Sequence, residues 1–82
     1  MASDATTHAD IVIDARGSFC PGPLMELVRH IRRASVGQVL EVRSTDAGSR
    51  RDIPAWCQKA GHTLVGIEDR EGYTAILVRK ER

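Results

Sequence analysis

Phe19-Cys20-Pro21-Gly22-Pro23-Leu24-Met25 lies between a β-branched run and an amphipathic run, and its reading sets the order of elements on either side. A residue before a proline is pushed out of the αR region, as an N-cap must be. A proline at the first helical position gives up only an N–H that has no intrahelical partner. On this reading Cys20 is the N-cap of a helix, Pro21 is N1 and Pro23 is N3, and the N–H groups of Gly22 and Leu24 stay free beside the sulfur. A thiolate there meets those donors and the positive end of the helix dipole, which lowers the thiol pKa. Gly22 has no side chain to shield the sulfur. Cys20 is therefore the candidate nucleophile, with Pro21, Gly22 and Pro23 as its support. The ordinary fate of a lone cysteine is burial as a small hydrophobe, but two flanking prolines and a helix start argue against that here.

Working outward, Ile11-Val12-Ile13 followed by Arg16-Gly17-Ser18 reads as a strand and a turn that deliver the cysteine. From Pro21 to about Ala34, Leu24, Leu27, Val28 and Ile31 recur at helical spacing with Glu26, Arg29, His30, Arg32 and Arg33 on the other faces. Gln38 to Ser44 alternates, Val39, Glu41 and Arg43 against Leu40 and Val42, as a half-buried strand does. Ser49 with Asp52 gives a start resembling a capping box for a second helix. Pro54 suits the interior of that helix poorly, so the expectation is an irregular or 3₁₀ first turn, then a regular helix to Ala60 with Gly61 at C′. Ile53, Trp56, Cys57 and Ala60 share its inner face. Thr63–Asp69 and Tyr73–Lys80 read as strands joined by a tight turn at Arg70-Glu71-Gly72. The order βαβαββ, with right-handed crossovers, predicts an α/β two-layer sandwich: a four-stranded mixed sheet with two helices on one face.

The chain has 82 residues, 41% of them hydrophobic and 28% charged, with net charge +1, which suits one small domain over residues 11–82 behind a mobile polar tail at 1–10. One Trp, one Tyr and one Phe leave the core to aliphatic side chains. Two cysteines form neither a zinc pattern nor CxxC, so no metal or cofactor is expected and the reducing cytoplasm is the expected location. The tail has no apolar run of the kind a signal peptide needs, and no segment reaches membrane-spanning length.

Cys57, on an apolar helix face, is expected to be buried and inert, the alternative being a resolving partner of Cys20. Arg16, Arg50, Arg51 and Asp52 fall in loops or first turns that open at the same end of the sheet as Cys20, where they would stabilise a thiolate or meet a partner; solvated surface charge is the plainer reading of each. His8, His30 and His62 have no Cys or carboxylate at metal spacing, and none is placed as a catalytic base.

These residues resemble the TusA/SirA-type sulfur-carrier family. Cys20-Pro21-Gly22-Pro23 resembles its CPxP motif, Ile13-Asp14-Ala15-Arg16-Gly17 its D-x-x-G lead-in, Arg51-Asp52-Ile53-Pro54-Ala55-Trp56-Cys57 its RDIPxxC segment, and Gly61-His62-Thr63-Leu64 the G/E-H-x-L that follows. The likeness runs from Ile11 to Lys80. Phe19 and Gly22 stand where the family carries a basic and an acidic residue, departures that bear on which partners dock. The resemblance implies the same βαβαββ sandwich and a persulfide on Cys20. It also implies a sulfur-donor protein (desulfurase, rhodanese-like or DsrE-like) and a downstream acceptor serving tRNA thiolation, molybdenum-cofactor supply or sulfur oxidation. Without a dedicated base, the residues suit a carrier better than a self-sufficient enzyme. Two alternatives stay open: a regulatory or nucleic-acid-binding module resting on Arg29, Arg32, Arg33, Arg50 and Arg51, and a Cys20/Cys57 dithiol redox protein. The first is weakened by a net charge of +1 and by the lack of a stacking platform, so no direct nucleic-acid contact is expected.

Overall fold

In the computed structural model, which describes residues 9–19 and 21–82, the elements run β1 (Ile11–Asp14), α1 (Gly22–Arg33), β2 (Val39–Ser44), α2 (Ser49–Ala60), β3 (Thr63–Arg70) and β4 (Tyr73–Arg79). The strands lie in the order β1-β2-β4-β3, with β1 parallel to β2 and β4 antiparallel to both β2 and β3. This is the mixed βαβαββ sheet that the pattern predicts. Asp10 prolongs the first pairing: its N–H donates to the Val39 carbonyl and its carboxylate accepts from the Val39 N–H, both at 2.8 Å.

The core lies between the sheet and the helices. Leu27 and Ile31 of α1 and Ile53 and Cys57 of α2 pack on Ile13, Leu40, Val42, Ile76 and Val78. These are the faces that helical and strand periodicity select. β3 keeps its apolar residues inward by means of a bulge: Leu64 faces Val78 and Gly66 faces Leu77, so Val65 is the extra residue. Without that slip, Leu64 and Ile67 would point to opposite faces; with it both pack against the main core, and Val65 joins Val39, Ala75 and Leu77 on the other side.

β2 departs from the half-buried expectation, since Val39 and Glu41 are buried as well as Leu40 and Val42. The open face of the sheet is covered by its own long side chains. Glu41 is 5% exposed and is gripped by Arg43 at 2.7 Å and Arg70 at 3.1 Å, while Arg70 also holds Glu68 at 2.7 Å.

Both helix starts differ from expectation. α1 has Pro21 as N-cap (φ −92°, ψ 21°), which puts Pro23 at the second helical position. The reason is a turn that comes first: the Gly22 N–H donates to the Phe19 carbonyl at 2.6 Å, so the intrahelical ladder begins with the Met25 N–H on the Pro21 carbonyl. α2 starts at Ser49 behind Gly48, and Ser49 caps nothing, because its hydroxyl is buried and accepts from the Ser44 hydroxyl at 2.9 Å. The lead-in N–H groups of Ser49, Arg50 and Arg51 bond three residues back, the 3₁₀ spacing expected, and that of Asp52 bonds four back to Gly48. Pro54 lies inside the helix. Gly61 ends α2 in the left-handed region at φ 84°, as expected.

Candidate functional site

The loop from β1 to α1 is fixed to the sheet along its first half and projects in its second. The Ala15 N–H donates to the Arg43 carbonyl at 2.9 Å, continuing the β1–β2 ladder, and the Gly17 N–H donates to Thr45 Oγ1 at 3.0 Å, joining this loop to the one that precedes α2. Gly17 takes φ 89°, which glycine adopts without a Cβ penalty. Phe19 then stands out at 80% exposure, an aromatic ring left in solvent immediately before Cys20. Pro21 is exposed as well, whereas Pro23 is buried and anchors the first turn of α1. Cys20 itself lies outside the described residues.

Gly22 serves two purposes other than the expected ones. Its N–H is committed to the Phe19 carbonyl and is not left free for the sulfur. A Cβ in its place would meet the Ser18 Cβ at 3.0 Å, so the missing side chain lets the loop fold against its own helix.

The charged candidates divide. Arg16 forms a two-point pair with Asp14, at 2.8 and 2.9 Å, and this guanidinium holds the Asp14 carboxyl down at about 2. Its guanidinium carbon also sits 5.3 Å from the centre of the Tyr73 ring, with that of Arg43 at 5.4 Å. Sequence reasoning missed Tyr73. The signal was its position two residues before Ala75, the cross-strand partner of Arg43, a diagonal from which a long side chain reaches an aromatic ring. Arg50 does not serve the cysteine loop: it pairs with Asp69 and donates to Thr74 Oγ1 at 3.0 Å, closing the α2 start onto the β3–β4 hairpin. Arg51 extends into solvent 3.7 Å from Asp52. Asp52 lines a shallow apolar groove between the helices with Leu24 and Trp56. Thus Arg16 and Asp52 border the elements that carry the CPxP motif, and Arg50 is a structural clamp.

Cys57 is 2% exposed, a free thiol that burial pushes up to about 11. Such a thiol is a poor nucleophile at neutral pH. Among the described residues no three His, Cys, Asp or Glu side chains gather as a metal site requires, and no helix is long and apolar enough to cross a membrane.

The structure defines a two-layer α/β sandwich in which a strand delivers an exposed turn to the mouth of a helix. The particular family follows from the sequence: the Sulfurtransferase TusA profile matches residues 11–80, and the chain belongs to that family. It is 51% identical over 70 residues to an Archaeoglobus fulgidus protein named as a candidate sulfur carrier, a match covering 85% of this chain and 96% of that one. It is 42% identical over 72 residues to the sulfur carrier protein TusA of Pseudomonas entomophila, covering 88% and 90%. Among solved structures, a SirA-like protein from Desulfitobacterium hafniense superposes with a TM-score of 0.75 over 88% of this chain and 99% of that one, at 22% identity, and so shares the fold.

Proposed function

We propose that the protein is a sulfur carrier whose working group is Cys20. The Cys20 thiolate attacks the terminal sulfur of a donor persulfide, R–S–SH; a new S–S bond forms, the donor's S–S bond breaks, and the products are Cys20–S–SH and the donor thiolate. The reverse exchange at an acceptor protein regenerates the thiol. The observation that carries this reading is the Cys20-Pro21-Gly22-Pro23 motif lying within the 70-residue TusA match, with the residues on either side of Cys20, Phe19 and Pro21, both exposed. The donor is of the desulfurase, rhodanese-like or DsrE-like kind and the site of action is the cytoplasm. The exposed Phe19, in a place where the family carries a basic residue, suits a partner with an apolar contact beside its sulfur. The burial of Cys57 counts against the dithiol alternative.

The test is intact mass after incubation with thiosulfate or polysulfide, with and without reductant. Expected is a gain of one sulfur atom that reductant removes, that Cys20→Ser abolishes and that Cys57→Ala leaves in place. Sulfur that persists in Cys20→Ser, or a loss of two hydrogens in the wild type, would overturn the reading.

A further inference from the structure

We propose that the open cleft bordered by the C-terminal halves of α1 and α2 and the far end of the β3–β4 pair is a second binding site, for a small anion bearing a planar ring, of the nucleoside monophosphate class. It lies at the end of the sheet where Thr63 pairs with Arg79, away from the Arg70–Tyr73 end that the cysteine loop borders. Its volume of about 390 Å³ falls in the range of small-ligand pockets.

The lining has two chemistries. Val28 and Ile31 give an apolar floor, and Trp56 forms a wall with His62, their rings 5.4 Å apart and tilted by 35°. Such a wall offers aromatic surface on which a base or another planar ring can stack. Around it converge Arg32, Lys80 and Arg82. Lys80 is held in place by donating from Nζ to the Ala34 carbonyl at 2.7 Å, which leaves its other N–H groups for a ligand. Among the described residues no carboxylate pairs with any of these three cations; the neighbouring acid, Glu81, is taken by Arg79 at 2.9 Å and by the Thr63 hydroxyl. His62 accepts the Glu81 N–H at Nδ1 at 3.1 Å, so as a neutral ring it carries its proton on Nε2. Burial, and then the charges of Lys80 and Arg82, hold its pKa down, partly offset by Glu81. Cations gathered around a half-apolar cleft repel one another, and an anion bound among them relieves that repulsion.

Trp56 is the chain's only tryptophan and stands in the wall, so its emission reports occupancy directly. The full chain is titrated separately with adenosine 5′-monophosphate, inorganic phosphate and adenosine. The expected result is a saturable change with the nucleotide and at least tenfold weaker responses to phosphate and adenosine alone. Arg32→Gln and Lys80→Gln should each weaken nucleotide binding about five- to tenfold, the loss of one charge-assisted contact. Cys20→Ser should bind as the wild type does, so this outcome is independent of the sulfur chemistry. Arg32 is exposed, which keeps its substitution free of folding effects. No saturable change with the nucleotide, a response to phosphate as strong as to the nucleotide, or binding indifferent to both substitutions would overturn the proposal.

Discussion

The two faces of the sheet exclude water by different means. Beneath the helices, Leu40, Val42, Ile76 and Val78 are completely buried against Leu27 and Ile53. On the open face, a smaller cluster of Val39, Ala75 and Leu77 is roofed by charged side chains from the same sheet, above all Arg43 and Arg70 closing on Glu41. The first seal is non-directional and scales with area; the second depends on geometry and on the pairing of every charge. The difference predicts where the fold breaks. Leu27→Ala should be the most damaging single change, about 3 kcal/mol, because both transfer energy and a cavity are lost at a side chain with 0% exposure. Urea denaturation measures it. A loss under about 1 kcal/mol would mean that the helix layer collapses onto the gap and that the core is less tightly packed than it looks.

The open face should yield less. Glu41→Gln keeps the shape and removes the charge that Arg43 and Arg70 share; with both arginines about 30% exposed, solvent takes up part of the loss, leaving about 1–2 kcal/mol. In high salt the deficit should shrink only slightly, since the Glu41 side chain is 6% exposed. A variant as stable as the wild type would assign the seal of this face to Val39, Ala75 and Leu77 alone.

This contrast also explains what the sequence could tell. The inner face was legible because Leu24, Leu27, Val28, Ile31 and the strand alternation carry periodicity, and periodicity is a local signal. The candidate nucleophile was legible because Cys20-Pro21-Gly22-Pro23 is contiguous. What escaped depends on residues far apart in the chain. Glu41 with Arg70 and Gly17 with Thr45 meet across separations of 29 and 28 residues, and Arg50 reaches Asp69 across 19. The bulge at Val65 could be inferred only from pairing with β4, because Leu64, Val65 and Ile67 read as an ordinary strand. The start of α1 slipped by one residue because proline chemistry permits Pro21 at either N-cap or N1, and only the Phe19–Gly22 turn decides between them.

The smallest expected effect concerns the hinge between the open face and the cysteine loop, where Asp14 ends β1 and holds Arg16. The Arg16 guanidinium, and then the Arg16 N–H, lower the Asp14 pKa from 3.8 to about 2 in the folded protein. The folded state therefore binds this proton more weakly than the unfolded chain does. The stabilisation is fully present above about pH 4 and is lost as pH falls through about 2. Both side chains are near half exposed, at 54% and 46%, so solvent and salt screen the pair and its contribution is small. Asp69, lowered by Arg50, titrates in the same direction, and only a difference measurement isolates Asp14. Asp14→Asn keeps an oxygen for the Arg16 N–H and drops the charge. Its urea midpoint should fall slightly below the wild type at pH 5, and the gap should narrow as pH falls towards 2 and also in high salt. A gap that stays constant over that range would show that Asp14 holds the loop by hydrogen bonding alone, making the charge on this edge of the open face incidental, unlike the charge at its centre.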